Sequence, residues 1–294
     1  MNTLITILQI LVAAALAPLL SGIIKKMKNF LRMRRGAPVL QPYYNLVKLS
    51  GKDEVISENT SWIFKAAPFV LLVSVFMAFL LVPLNGSRVA LPYMGDMILV
   101  IFLLAIGRFF LALAGLDAGS AFGGMGSSRE MFISSLVEPV MLLSLFAVAS
   151  NSGSTNPVIM AGQTTMRISS VIAALSFFMA AIAETSRIPV DNQETHLELT
   201  MIHEAMVLEY SGKSLAMIEY AAHLKQMIFF TILASIIIPF GGAGIFVLKI
   251  LAIAAIVSVL EISVAKMRLF RAVDFVMFAL ALSIMAMVVR AVGL

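Results

Sequence analysis

Met97-Ile98-Leu99-Val100-Ile101-Phe102-Leu103-Leu104-Ala105-Ile106-Gly107-Arg108-Phe109-Phe110-Leu111-Ala112-Leu113-Ala114-Gly115 carries a single charge, Arg108, within an otherwise apolar run. A hydrocarbon core about 30 Å thick is crossed by about 20 such residues in helical form. An arginine well inside such a span costs about 2.5–3.5 kcal/mol on insertion scales, so it turns toward a bundle interior, a water cavity or an opposite charge. The stretch therefore sets both the solvent, a bilayer, and the architecture, several helices packed around polar groups.

The same pattern recurs along the chain. Apolar runs at about 4–24, 66–84, 97–115, 131–149, 168–183, 226–240, 245–265 and 272–292 are each bounded by charge, Gly, Pro or Asn. With 61% apolar residues, 13% charged ones and a mean hydropathy of +1.00, the 294 residues cannot form one water-exposed globule. The expected fold class is all-α, a polytopic membrane protein of about eight transmembrane helices forming one membrane domain over 1–294. Pro239 and Gly241-Gly242-Ala243-Gly244 leave open a kinked or re-entrant element between the sixth and seventh runs.

Charge sets the topology. No basic residue precedes the first run, whereas Lys25, Lys26, Lys28, Arg32, Arg34 and Arg35 follow it, the reverse of a cleavable signal peptide. This cluster, continued by Lys48, Lys52 and Lys65, assigns the loop at about 25–65 to the cytoplasm. Alternation then places 116–130, 184–225 and 266–271 on the same side and both termini outside. The net charge of +5 is thereby explained without nucleic acid.

Several chemistries are excluded. With zero cysteines the chain holds no disulfide and no thiolate-ligated iron–sulfur, nickel or zinc centre. Gly123-Gly124-Met125-Gly126-Ser127-Ser128 lacks the lysine of a phosphate loop and follows no strand, so it reads as a tight turn with Ser127 or Ser128 capping the fourth helix. No hydrolase arrangement of Ser, His and Asp is evident, and no internal repeat suggests an inverted-repeat transporter.

The cytoplasmic loops hold the remaining signal. Arg34-Arg35 and the segment Gln41-Pro42-Tyr43-Tyr44-Asn45-Leu46-Val47-Lys48-Leu49, with Lys52 beyond it, read either as a basic surface on anionic lipid or as a short helix against a partner protein. The second loop contains Glu184, Asp191, Glu194, Glu198, Glu204, Glu209 and Glu219 against Arg187, Lys213 and Lys225. Asp191, Glu194 and Glu198 share one side of any helix that begins after Pro189. They form either a solvated face or a proton-handling chain. His196 and His203 stand two turns apart on such a helix, too far to share a metal ion, and no metal site is expected. Within the spans, Glu138 and Glu261 join Arg108 as charges in apolar surroundings, and an Arg108–Glu138 structural pair is the simplest reading.

These motifs resemble the eight-span membrane subunit shared by respiratory complex I and the energy-converting nickel–iron hydrogenases, including formate hydrogenlyase. Gln41-Pro42, Asn45, Lys48-Leu49, Lys52 and Asp53 follow the family's Gln-Pro-x-x-Asp-x-x-Lys-Leu-x-x-Lys-Glu, with Asn and Asp in place of its first and last acids. Ala183 to Asp191, then Glu194, Glu198-Leu199 and Glu209-Tyr210-Ser211-Gly212, are similar to its loop after span five, and Arg129 with Glu138 nine residues on is similar to its fourth span. A short stretch between Arg35 and Gln41, His196 in place of a carboxylate, and Met201-Ile202-His203-Glu204-Ala205-Met206 resemble the hydrogenase forms.

The resemblance implies a non-redox subunit of a prokaryotic plasma membrane. It binds no cofactor itself; the nickel–iron centre and iron–sulfur clusters belong to hydrogenase small and large subunits, fed by ferredoxin or a formate-oxidising module. It also implies a carboxylate relay toward antiporter-like subunits that move protons or sodium ions, through Glu138, Glu184, Asp191, Glu194, Glu198, Glu204 and Glu209 with His196 and His203. Arg108, Arg129 and Arg187 would be counter-charges, and Arg34, Arg35, Gln41, Pro42, Lys48 and Lys52 would dock the soluble arm. The alternatives are a quinone-site subunit of the complex I type and a passive membrane anchor.

Overall fold

The structure, a computed structural model, describes residues 2–57, 60–83, 95–163, 167–191, 201–237 and 242–293. Eleven helices follow one another among the described residues: α1 (Asn2–Leu31), α2 (Gln41–Ser50), α3 (Trp62–Leu81), α4 (Met97–Asp117), α5 (Ala121–Ser152), α6 (Pro157–Gln163), α7 (Ile168–Glu184), α8 (His203–Val207), α9 (Gly212–Ile237), α10 (Ala243–Ser263) and α11 (Leu269–Ala291). No strand occurs among the described residues. Seven of the helices, α1, α3, α4, α5, α9, α10 and α11, are long and apolar enough to cross a membrane, and α7 is a shorter apolar helix. Its 17 residues rise about 26 Å, slightly under the thickness of the hydrocarbon core. Each of the eight expected runs is therefore helical, and the sixth and seventh lie in separate helices, with Pro239 and Gly241 between them outside the described residues.

Packing centres on α5, α7 and α9. Helices α4 and α11 flank α5, α3 packs on both α4 and α9, and α1 lies against α9 and α10. Helix ends are fastened where sequence allows. Asp117 at the end of α4 accepts from the amide and hydroxyl of Ser61 at 2.8 and 2.9 Å, and the Ser61 hydroxyl in turn accepts from Ile63 N at 3.2 Å, capping α3.

Three boundaries differ from expectation. The first helix continues past residue 24 to Leu31, so Lys25, Lys26 and Lys28 ride on it. Gly123-Gly124-Met125-Gly126 is helix and not a turn: the cap is Ser120, whose hydroxyl accepts from Gly123 N at 3.1 Å, not Ser127 or Ser128. The glycines serve close approach. A Cβ on Gly123 would lie 2.3 Å from the Gly115 carbonyl oxygen of α4, and one on Gly126 would lie 2.8 Å from the Ala205 methyl of α8. Finally, residues 212–225, expected within a loop, form the first half of α9. Their hydropathy is lowered by Glu219, His223 and Lys225, yet these side chains face a cavity within the protein, so the helix is built around them.

Two prolines inside spans explain two tyrosines. Pro68 in α3 removes the amide that would bond the Phe64 carbonyl, and Tyr210 donates its hydroxyl to that carbonyl at 2.9 Å. The Tyr210 and Phe64 rings also stack with centroids 4.1 Å apart. Pro18 in α1 likewise frees the Ala14 carbonyl, which accepts from Tyr220 at 3.2 Å, while Tyr43 of α2 reaches the adjoining Ala15 carbonyl at 2.5 Å. Burial pushes both the Tyr43 and Tyr210 hydroxyls above the usual tyrosine range, so each remains a donor.

Candidate functional site

Helix α7 ends in a Schellman motif. Arg187 N bonds to the Ile182 carbonyl at 3.1 Å and Ser186 N to the Ala183 carbonyl at 3.1 Å, with Ser186 itself at φ +51°. The turn leaves Glu184 in the last helical turn, facing the bundle, and swings Arg187 toward α10. A buried carboxylate at the negative end of a helix needs compensating cations. Two supply it: Arg108 from α4 donates to Glu184, and Lys225 from α9 approaches it at 3.3 Å. Arg108 also donates to Glu138 of α5. The expected Arg108–Glu138 pair is thus one arm of a larger group in which one arginine bridges two acids.

A second group lies beside it. Glu261 of α10 accepts from Arg187 at 2.5 Å and from Lys28 of α1 at 2.7 Å, and Arg187 donates further to the Gln226 side-chain oxygen at 2.8 Å. A third is centred on Asp191, which lies in no helix. Its side chain accepts from the amides of Ile202 and His203, each at 3.2 Å, and from Lys266 at 2.6 Å. Asp191 therefore joins the turn after α7 to the start of α8 and to the segment between α10 and α11. The expected acid stripe on one helix face is not formed at Asp191, because its amide closes a turn on the Arg187 carbonyl and its carboxylate is drawn to the α8 amides. Glu194, His196 and Glu198 lie outside the described residues.

His203 opens α8 after non-helical Met201 and Ile202, so it does not continue a helix from position 196 as expected. Its Nδ1 is buried with no hydrogen-bond partner among the described residues. Burial, reinforced by the Lys225 charge, holds its pKa below the ordinary histidine value, which keeps the ring neutral at pH 7. Glu130 of α5 is buried as well, a residue the sequence reading passed over because it lay in what was expected to be a loop.

Between these groups lies a polar cavity of about 420 Å³. Ser21 and Lys25 of α1 and Pro42 and Asn45 of α2 form one wall; Glu184 through Arg187 form another. His203 and Glu204 of α8 close one end, and Glu219, His223 and Gln226 of α9 line the remainder. Among the sequence-derived candidates, the fold thus gathers Glu184, Arg187, His203, Glu204 and Pro42 at one cavity, with Arg108 one ion pair away and Glu138 two. Glu209 is exposed and stands apart, and Arg129 donates to the Met201 carbonyl at 3.1 Å. Arg34, Arg35, Lys48 and Lys52 are exposed alongside the apolar side chains of Tyr44 and Val47 on α2, a mixed basic and apolar surface.

The family model described as NADH dehydrogenase matches residues 3–291. The chain belongs to that family. It is 33% identical over 269 residues to formate hydrogenlyase subunit 4 of Escherichia coli, covering 90% of this chain and 87% of the relative. It is 26% identical over 243 residues to an NADH-quinone oxidoreductase subunit of Rubrobacter xylanophilus, covering 76% and 72%. A chain of the membrane-bound sulfane sulfur reductase, an archaeal respiratory membrane complex, superposes with a TM-score of 0.85 at 20% identity, covering 98% of this chain and 99% of that one, and so shares the fold. This NADH dehydrogenase family member is a multi-pass membrane protein and a membrane component of a complex I-like oxidoreductase complex.

Proposed function

We propose that the chain is the non-redox membrane subunit of a hydrogenase-type complex in a prokaryotic plasma membrane, coupling electron transfer in a soluble arm to ion movement in the bilayer. The observation that carries this reading is the line of charge from the cavity, Lys225 to Glu184 to Arg108 to Glu138, buried at Glu184 and Arg108 and half-exposed at Glu138. A passive anchor has no need of it: buried ion pairs add little net stability over apolar packing. A coupling device does need it. Carboxylates held by shared cations change proton affinity when a neighbouring charge moves, and two charges about 4 Å apart at an effective dielectric of 20 interact at roughly 4 kcal/mol.

In this reading the exposed surface of Arg34, Arg35, Lys48 and Lys52 with Tyr44 and Val47 docks hydrogenase small and large subunits, which carry the nickel–iron centre and iron–sulfur clusters. Electrons come from ferredoxin or formate oxidation, and the inner end of the charge line meets antiporter-like subunits. Greater identity to formate hydrogenlyase subunit 4 than to the NADH-quinone oxidoreductase subunit favours the hydrogenase branch.

A second reading, a quinone-site subunit, draws on the cavity, whose 420 Å³ lies within the range of small-molecule sites. Mild-detergent purification of the tagged chain separates the two. Nickel in the co-purifying complex and hydrogen evolution from reduced ferredoxin or formate are expected; flavin with quinone reductase activity blocked by quinone analogues would assign the chain to the other branch.

A further inference from the structure

The donors and acceptors around Gln226 can be assigned without ambiguity. Its side-chain oxygen lies 2.8 Å from Arg187 Nη2, and a guanidinium only donates, so the amide cannot be flipped. The Ser21 hydroxyl lies 2.8 Å from that same oxygen and 2.8 Å from His223 Nδ1. A hydroxyl has one proton, and here it goes to Gln226, because two oxygens at that separation with no proton between them would repel. Ser21 therefore accepts from His223. Nδ1 carries the ring proton, and in the neutral ring Nε2 is left with a free lone pair.

The far end of this line is rigid: Arg187 is held by Glu261, and Glu261 by Lys28. The near end opens on the cavity, which His223 and Gln226 both line. Gln226 Nε2 is buried with no partner among the described residues. A buried amide N–H left unbonded costs about 1–3 kcal/mol, so water in the cavity is its natural acceptor. The cavity holds on the order of ten waters at about 30 Å³ each.

We infer that His223 is a proton-exchanging residue of the cavity, taking a proton from cavity water at Nε2 while the Ser21–Gln226–Arg187–Glu261 line fixes its tautomer and orientation. This rests on the coupling reading above and adds to it a residue that the carboxylates do not supply, a base that is uncharged when free of its proton. In the step an N–H bond forms at Nε2 as an O–H bond of hydronium breaks; Nδ1 continues to donate to Ser21. The proton then leaves to a carboxylate, and Glu219, one turn earlier on α9 and lining the same cavity, is the nearest in sequence geometry. Lys25 from α1 and Arg187 from the turn after α7 are cations that line the cavity with the ring, and Glu204 from α8 and Glu219 are acids that do. Glu261 on α10 stands behind Arg187, and Lys225 is engaged by Glu184. His203 shares the cavity and is held neutral.

The test uses the assembled complex and the variant His223→Asn. Asparagine places an amide N–H where Nδ1 donates to Ser21 but has nothing that can bind a proton at the Nε2 position. Ions moved per hydrogen evolved are expected to fall about tenfold or more, and the acid limb of the pH dependence of turnover should flatten. Unchanged stoichiometry and pH profile would reduce His223 to a structural donor and overturn the inference. Glu138→Gln is measured in parallel: if it too has no effect, the coupling reading itself fails, and if it uncouples while His223→Asn does not, only the role of His223 falls. Should the Asn variant not assemble, Ser21→Ala decides. It retains the imidazole but releases the tautomer, so the acid limb of the profile must shift, and an unmoved limb overturns the inference.

Discussion

Replacing Arg108 by glutamine removes the cation shared by two acids. Its side chain is 4% exposed, Glu184 is 2% exposed and Glu138 is 36% exposed, so the two arms are unequal. The Glu138 arm is half-exposed on a membrane span, so its open side meets lipid or a neighbouring subunit and not bulk water. The Glu184 arm is fully enclosed, and removing one partner of such a pair costs about 3–5 kcal/mol because the remaining charge is stranded. Lys225, at 3.3 Å, retains part of the compensation, which puts the expected loss near the lower end, about 3 kcal/mol. Unfolding of the purified protein in mixed micelles, titrated with a denaturing detergent, measures it. The double variant Arg108→Gln with Glu184→Gln leaves two amides that can bond each other and should recover at least half of the loss. A single variant within about 0.5 kcal/mol of the parent, with a strictly additive double, would refute the view that ion pairing organises this region.

Other expectations follow from the same packing. Tyr210→Phe strands the Phe64 carbonyl and should cost about 1–3 kcal/mol; adding Pro68→Ala restores an amide to that carbonyl and should return most of it, whereas additive losses would show that the tyrosine acts through its ring. Gly123→Val forces a side chain onto the Gly115 carbonyl oxygen 2.3 Å from its Cβ, so α4 and α5 must part and the yield of folded protein should collapse; normal yield and stability would contradict the close crossing. His203 has a folded pKa below its unfolded value of about 6.5, so the unfolded chain binds more protons on acidification. Stability should therefore fall as pH drops below about 6.5 and be unaffected by this group above it; His203→Gln should remove that part of the acid loss, and identical pH profiles would contradict the assignment.

Much of the fold was readable because its determinants are local. A span such as 97–115 announces itself by length and hydropathy, and each of the eight runs has its helix. What local pattern could not reveal is where polar residues inside helices face one another. Residues 212–225 looked like loop because Glu219, His223 and Lys225 lower the hydropathy of a helix whose charges point inward. Gly123 to Gly126 looked like a turn because glycine marks both tight turns and tight helix crossings, and only the partner helix distinguishes them. At the site, Glu184 read as an acid of the cytoplasmic loop and its pairing with Arg108 had no local signal, whereas Glu138 and Arg108 were legible as charges too costly to leave unpaired. Glu261 gave the same signal, but its partner Lys28 was masked by its place in a basic cluster that topology already explained. Ser21 and Gln226 gave none, since neutral polar residues cost little in a span, and their role depends on a contact across 205 positions of chain.

Coupling between hydrogen evolution and ion movement is the central claim, and it can be measured directly. With the purified complex reconstituted in proteoliposomes, hydrogen evolution and ion uptake are recorded together for the parent and for Glu138→Gln. The variant is expected to assemble and still evolve hydrogen, more slowly or without a gradient, so that ions moved per hydrogen fall sharply. Parent-like turnover with a parent-like gradient would contradict the claim and leave the chain a membrane anchor.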